Sequence, residues 1–229
     1  MHDGRMMLVV RRFAAGFVAA LIGFLARLIT AVRGVRHSDE AYTEPCVFYA
    51  NHASHGDFVL IWTVLPPGLR AATRPVAGAD YWQASRLRRF IGVDAFRSLL
   101  IARNGERADI DPITAMTEAL DQGSSLIVFP EGTRNTTEDR LLPLKSGIFH
   151  LAEARPDVDF VPVWISNLNR VLPKGEFLPV PLLCIVRFGA ALRLDPGESK
   201  AAFLERARDR LLTLADEDEP VRRRETEQP

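Results

Sequence analysis

The chain has 229 residues, of which 47% are hydrophobic and 25% charged, and its formal net charge is zero. That length supports one sizeable core, and the composition is too apolar for a disordered chain. The even charge balance offers no global attraction for nucleic acid.

The first feature in chain order is the run Phe13 to Val32, FAAGFVAALIGFLARLITAV, whose one charge is Arg27. Its uninterrupted part, Phe13 to Ala26, falls short of the roughly 20 residues that span a bilayer. Arg11 and Arg12 precede the run and Arg33 and Arg36 follow it; because the run continues through Arg27 into Arg33, a cleaved signal peptide is not the expectation. The expectation is a helix in the membrane interface, its apolar body in the acyl boundary and its basic flanks on anionic headgroups. A buried core helix and a tilted spanning helix are the alternatives. This segment is assigned to residues 1–36, the domain to 37–214, and a charged tail, ADEDEPVRRRETEQP, to 215–229.

Beyond residue 36, short apolar runs alternate with helical patterns. Strands are expected at Cys46 to Ala50, Arg74 to Ala79, Ser98 to Ala102, Ser125 to Phe129, Phe160 to Ile165 and Leu182 to Gly189. Helices are expected at Asp57 to Leu65, Tyr81 to Ile91 with Asp80 as cap, Lys145 to Arg155 and Glu198 to Leu214. The clearest is Pro112 to Gln122, where Asp111 can cap, Pro112 suits the first helical position and Gly123 the C-terminal cap. Pro173 to Pro181, with three prolines, reads as a rigid loop, and Pro162 as an edge or a shaped wall. Cys46 and Cys184 lie inside apolar runs, as buried reduced thiols do. Together these predict an α/β fold: a single domain with a mixed, largely parallel sheet flanked by helices, preceded by an N-terminal membrane-associated helix.

Two polar clusters fall where such a sheet collects ligands, at strand ends that lead into helices. The first is Asn51-His52-Ala53-Ser54-His55-Gly56-Asp57. The spacing of His52 and Asp57 does not share one face of a helix, but across a strand-to-helix turn the carboxylate can reach the imidazole. A carboxylate there fixes the tautomer and leaves the other ring nitrogen free to take a proton. The plain alternative is a helix-capping acid beside a surface histidine. His55 competes for either role, although no further ligand stands at metal-site spacing.

The second cluster is Pro130-Glu131-Gly132-Thr133-Arg134-Asn135. Gly132 permits close backbone approach, the turn's amides suit an anion, and Arg134 offers a phosphate fork; the alternative is a solvated charged turn. Arg103 and Arg107 follow another strand end, and Lys145-Ser146-Gly147 opens a later helix. A serine-nucleophile elbow, a P-loop and a paired Cys-x-x-Cys are missing from the sequence.

Asn51-His52-x-x-x-x-Asp57 followed by Phe129-Pro130-Glu131-Gly132-Thr133-Arg134 resembles the glycerolipid acyltransferases, among them the bacterial 1-acylglycerol-3-phosphate acyltransferases. Arg103, Val161-Pro162-Val163 and Leu144-Lys145-Ser146-Gly147-Ile148-Phe149 resemble further blocks of that family, in the same order. Ala102 stands where the family often has aspartate, and Asn135 where it commonly has serine.

The resemblance implies that His52 is the general base for the free hydroxyl of a lysophospholipid, and that Asp57 holds it. The hydroxyl then attacks the thioester of acyl-CoA or acyl carrier protein. Arg103, Glu131, Gly132, Thr133, Arg134 and Lys145 would bind the acceptor's phosphate. The implied acceptor is 1-acylglycerol-3-phosphate, giving phosphatidic acid, with no metal and no cofactor beyond the thioester substrate. The implied place is the cytoplasmic face of the cell membrane. An acyltransferase for another lysophospholipid, glycerol-3-phosphate or a lyso-aminolipid is the rival enzyme. A non-catalytic lipid-binding protein on the same scaffold is the rival from another class.

Overall fold

A computed structural model describes residues 2–36, 42–102, 111–166 and 183–217. The expected loop Pro173–Pro181 and the end of the charged tail lie outside the described residues. Seven strands form one sheet in the order β1-β7-β6-β2-β5-β3-β4: β1 (Arg33–Arg36), β2 (Cys46–Ala50), β3 (Thr73–Gly78), β4 (Leu99–Ile101), β5 (Ser125–Val128), β6 (Asp159–Ser166) and β7 (Ile185–Phe188). All neighbours run parallel except β6 and β7. β2 sits between β5 and β6, and all three are buried from end to end. This explains their continuous apolarity, since both faces are covered.

The alternation of side chains splits the core in two. Val47, Tyr49, Leu126, Val128 and Phe160 face α6 (Pro112–Asp121), α7 (Gly147–Ala154) and α8 (Lys200–Asp216). Cys46, Phe48, Ala50, Ile127 and Val161 face α1 (His2–Thr30), α2 (Asp57–Val64) and α3 (Pro67–Ala72). Both cysteines are free and buried, as expected. Asp111 caps α6 by accepting from the amides of Ile113 and Thr114, and Gly123 after its end takes φ +78°.

Several expectations change. β1 and α3 are additions to the elements expected from the sequence. Pro162 stands on β6, an interior strand rather than an edge; Gly189 makes room for it, because a Cβ there would lie 2.9 Å from the proline ring. The helix expected at Tyr81 to Ile91 is three pieces: α4 (Ala79–Gln83), α5 (Arg86–Arg89) and a π-helical turn, Phe90–Ala95. Ser85 breaks it by accepting from the Arg88 amide and starting a new helix. Asp80 lies in the first turn of α4 and does not cap it; Gly78 precedes the helix.

α1 also differs. The apolar residues before Arg11 extend it, so that Met6–Thr30 is long and apolar enough to cross a membrane. Yet one face is docked. Ala15, Ala19 and Gly23 are buried in packing against α2 and the π-helical turn, while Phe13, Phe17, Phe24 and Leu28 point outward, 63–77% exposed. Small residues let the helix backbone approach closely. Arg27 spans to the carbonyl of Thr63 near the α2 C-terminus at 2.7 Å, where a cation is favourable. The boundary expected at residue 36 falls at the end of β1, an edge strand that pairs with β7.

Candidate functional site

β2 and β5 are parallel neighbours, so the turns after their C-terminal ends lie side by side. That places Asn51–Asp57 against Pro130–Asn135. Asn51 fixes the first turn by bonding both ways with the Ile165 backbone on β6, at 3.1 and 2.8 Å. Gly56 then leads into α2, with Asp57 at its first position.

Asp57 is 1% exposed. One carboxylate oxygen, Oδ2, accepts from the amides of Ala53 at 2.7 Å and Ser54 at 2.9 Å, and lies 2.8 Å from His52 Nδ1. The carboxylate thus folds the turn around itself and directs the Nδ1 proton inward. His52 Nε2 remains the ring nitrogen open to an incoming group, and the side chain keeps 15% exposure. Phe129, at the end of β5, stacks on the imidazole at 4.2 Å and 20°. Sequence alone gives Phe129 no role of its own, although its position just before Pro130 marks the strand end.

One main-chain bond latches the second turn to the first, and another ties the chain near Lys145 to the second turn. The Asn135 amide donates to the His52 carbonyl at 2.6 Å, and the Lys145 amide to the Pro130 carbonyl at 2.7 Å. Gly132 takes φ +73°, with Lys145 packed so closely that a Cβ would be 3.2 Å from its side chain. Gly132, Thr133, Arg134 and Lys145 are exposed beside the His52 turn. These four and the His52–Asp57 pair are brought together as the sequence suggests; Arg103 and Arg107 lie outside the described residues.

Glu131 is placed otherwise. It is 1% exposed, and its two oxygens are taken by the amides of His52 at 2.6 Å and Leu142 at 2.8 Å. A carboxylate enclosed in this way holds the chain's own amides, and its charge would repel a phosphate. Burial raises its pKa, against the opposing pull of those two amides.

His55, competing with His52 on sequence grounds, stands apart from the pair. It stacks on Tyr81 at 4.3 Å, and the Arg88 guanidinium lies 4.5 Å from the Tyr81 ring centre. Burial, then Arg134, His52 and Arg88 in that order, lower the His55 pKa, so this side of the site is rich in positive charge. Among the described residues, no group of three or more His, Cys, Asp or Glu side chains converges as a metal site would. Chemically, the arrangement offers a carboxylate-held base beside an amide-lined, cationic turn that suits a hydroxyl compound bearing an anionic group.

The Acyltransferase family model matches residues 30–166, a span that contains every residue of both turns. A chloroplastic 1-acyl-sn-glycerol-3-phosphate acyltransferase, BAT2, of Brassica napus is 30% identical over 155 residues, covering 64% of this chain and 40% of that protein. The 1-acyl-sn-glycerol-3-phosphate acyltransferase alpha of Mus musculus is 31% identical over 158 residues, covering 67% and 50%. The chain thus spans about half the length of the curated relatives it matches. The crystal structure of the 1-acyl-sn-glycerophosphate acyltransferase PlsC of Thermotoga maritima has the same fold, with a TM-score of 0.67 at 18% identity over 93% of this chain and 88% of that one.

Proposed function

The chain belongs to the acyltransferase family, and from that premise we propose that it moves a fatty acyl group from a thioester to the free hydroxyl of 1-acylglycerol-3-phosphate, giving phosphatidic acid. The observation that carries this reading is the latch between the two turns, in which the Asn135 amide bonds to the His52 carbonyl. It holds a proton acceptor beside a cationic turn, as a hydroxyl acceptor with a nearby phosphate requires. The names of the relatives support the choice of acceptor.

In the proposed reaction, His52 Nε2 takes the proton of the acceptor hydroxyl as its oxygen attacks the thioester carbonyl. Asp57, bonded to Nδ1, stabilises the imidazolium that forms. The tetrahedral adduct collapses, the carbon–sulfur bond breaks, and the departing sulfur takes the proton back from Nε2. No acyl-enzyme is needed, because the thioester is already activated. General-base help supplies about 10²- to 10⁴-fold, and positioning adds to it.

Gly132, Thr133, Arg134 and Lys145, with Arg103, are the proposed phosphate ligands. Glu131 is assigned the internal bracing of the two turns. CoA and acyl carrier protein are both open as donors. α1 and the sheet are proposed to act as one membrane-seated unit: α1 lies in the plane of the lipid surface with its small-residue face on the domain and its phenylalanines in the acyl boundary, on the cytoplasmic side.

The test is a transfer assay with one acyl-CoA and a panel of acceptors: 1-acylglycerol-3-phosphate, other lysophospholipids, glycerol-3-phosphate and a lyso-aminolipid. The highest kcat/KM is expected for 1-acylglycerol-3-phosphate. Preference for an acceptor without phosphate would overturn the assignment of the cationic turn. No turnover with any acceptor would favour the lipid-binding alternative.

A further inference from the structure

Outside α1, Leu87 at 69% exposure and the edge-strand Val35 at 39% are the exposed large hydrophobic residues among those described. A single exposed leucine is ordinary. The neighbours of this one are not, because Leu87 sits on α5 between Arg86, Arg88 and Arg89, all exposed. Among the described residues none of the three arginines meets a carboxylate. One short turn therefore presents an apolar tip ringed by cations.

This knuckle is firmly mounted. Ser85 caps it, and the π-helical turn continues from it without a break. α1 packs on that same turn, and Arg11 of α1 pairs with Asp94 there at 2.7 Å. Trp82 lies across Gly92, where a Cβ would be 2.6 Å from the indole. On its other side Arg88 covers Tyr81, which stacks on His55 in the catalytic turn. The knuckle is thus joined both to the apolar helix and to the site.

We propose that α5 is a second membrane contact, in which Leu87 enters the acyl boundary while Arg86 and Arg89 engage the phosphates of anionic lipids. This rests on the reading of α1 as an interfacial helix. A rod lying in the interface sets depth but leaves the domain free to roll about the rod's axis. A second contact off that axis fixes the roll and holds the His52 turn toward the lipid surface. The residue types match the two layers they would meet, since leucine favours the acyl region and guanidinium the headgroup layer.

The test uses the full chain with Leu87→Cys carrying a polarity-sensitive fluorophore; Cys46 and Cys184 are fully buried and leave position 87 as the reactive thiol. Phe17→Cys, labelled in the same way, reports on α1. Vesicles are phosphatidylcholine with or without phosphatidylglycerol. The expected result is a blue shift at both positions on the anionic vesicles. Arg86→Ala with Arg89→Ala should weaken partitioning to them roughly 25-fold, at about a factor of five per arginine. If position 17 shifts and position 87 stays water-like, the α5 contact is refuted while the membrane reading stands. If neither shifts, both fall. Unchanged partitioning of the double-alanine variant also refutes the contact. So does a shift at 87 produced by a soluble acidic carrier protein in place of vesicles, because it would mark a protein-docking surface.

Discussion

Replacing Glu131 with glutamine tests whether that carboxylate braces the site or touches substrate. Glutamine keeps the shape and one acceptor oxygen, but its NH₂ group must face the amide of either His52 or Leu142, now 2.6 and 2.8 Å from the carboxylate. One buried backbone N–H is left without an acceptor, at a cost of about 1–3 kcal/mol. For a domain of this size about 2 kcal/mol lowers Tm by about 4–8 °C. Because His52 N is one of the two anchors, kcat should fall about 10- to 100-fold while the acceptor KM stays within about twofold. Stability should also change its pH dependence. Burial raises the Glu131 pKa, so its contribution is fully present below the ordinary carboxylate range and is lost as pH rises through the elevated value. The variant has no titrating group at this position, so its Tm should vary less than the wild type's between acid and neutral pH. Thermal melts from acid to neutral pH, with steady-state kinetics, provide the readout. An unchanged Tm with a several-fold higher acceptor KM would refute the bracing role and return Glu131 to the substrate.

His52→Ala should abolish transfer and leave the far-UV circular dichroism spectrum intact; near-normal turnover would remove His52 as the base. Asp57→Asn keeps a carbonyl oxygen facing the Ala53 and Ser54 amides and Nδ1, but removes the negative charge that stabilises the imidazolium formed during transfer, so kcat should drop by roughly 10³. Arg134→Ala should raise the KM for a phosphate-bearing acceptor with little effect on donor KM, and the reverse pattern would place the acceptor phosphate elsewhere. Gly92→Ala puts a Cβ 2.6 Å from Trp82, a clash with an indole edge-packed on Phe58. It should cost about 1–3 kcal/mol, seen as a lower midpoint in tryptophan-monitored unfolding.

The parts of the fold written in local pattern were legible in the sequence. Cys46–Ala50 and Pro112–Asp121 fall where apolar run length and capping chemistry put them, with the helix end within one residue. The His52–Asp57 contact was legible because both residues belong to one turn. What was hidden depends on residues far apart in the chain. Glu131 reaches His52 across 79 positions, so its inward turn follows from the β2–β5 pairing rather than from its neighbours. The break at Ser85 was masked by helix-favouring residues on both sides, and the bend after it is set by Trp82 over Gly92. β1, a basic four-residue strand, has no apolar signature because it is an exposed edge.

The docking of α1 has a consequence for biosynthesis. Its small-residue face packs on residues 57–64 and 90–95, all of which leave the ribosome after Thr30. At about 5–20 residues per second, roughly 3–13 s separate completion of the helix from completion of its platform. During that interval Ala15, Ala19 and Gly23 are as open to solvent as Phe13 and Phe17. An apolar helix in that state has lipid, a chaperone or another nascent chain as its available partners. A chain that reaches the bilayer first would fold its sheet against a helix already oriented by lipid, so membrane delivery and domain folding become one coupled event.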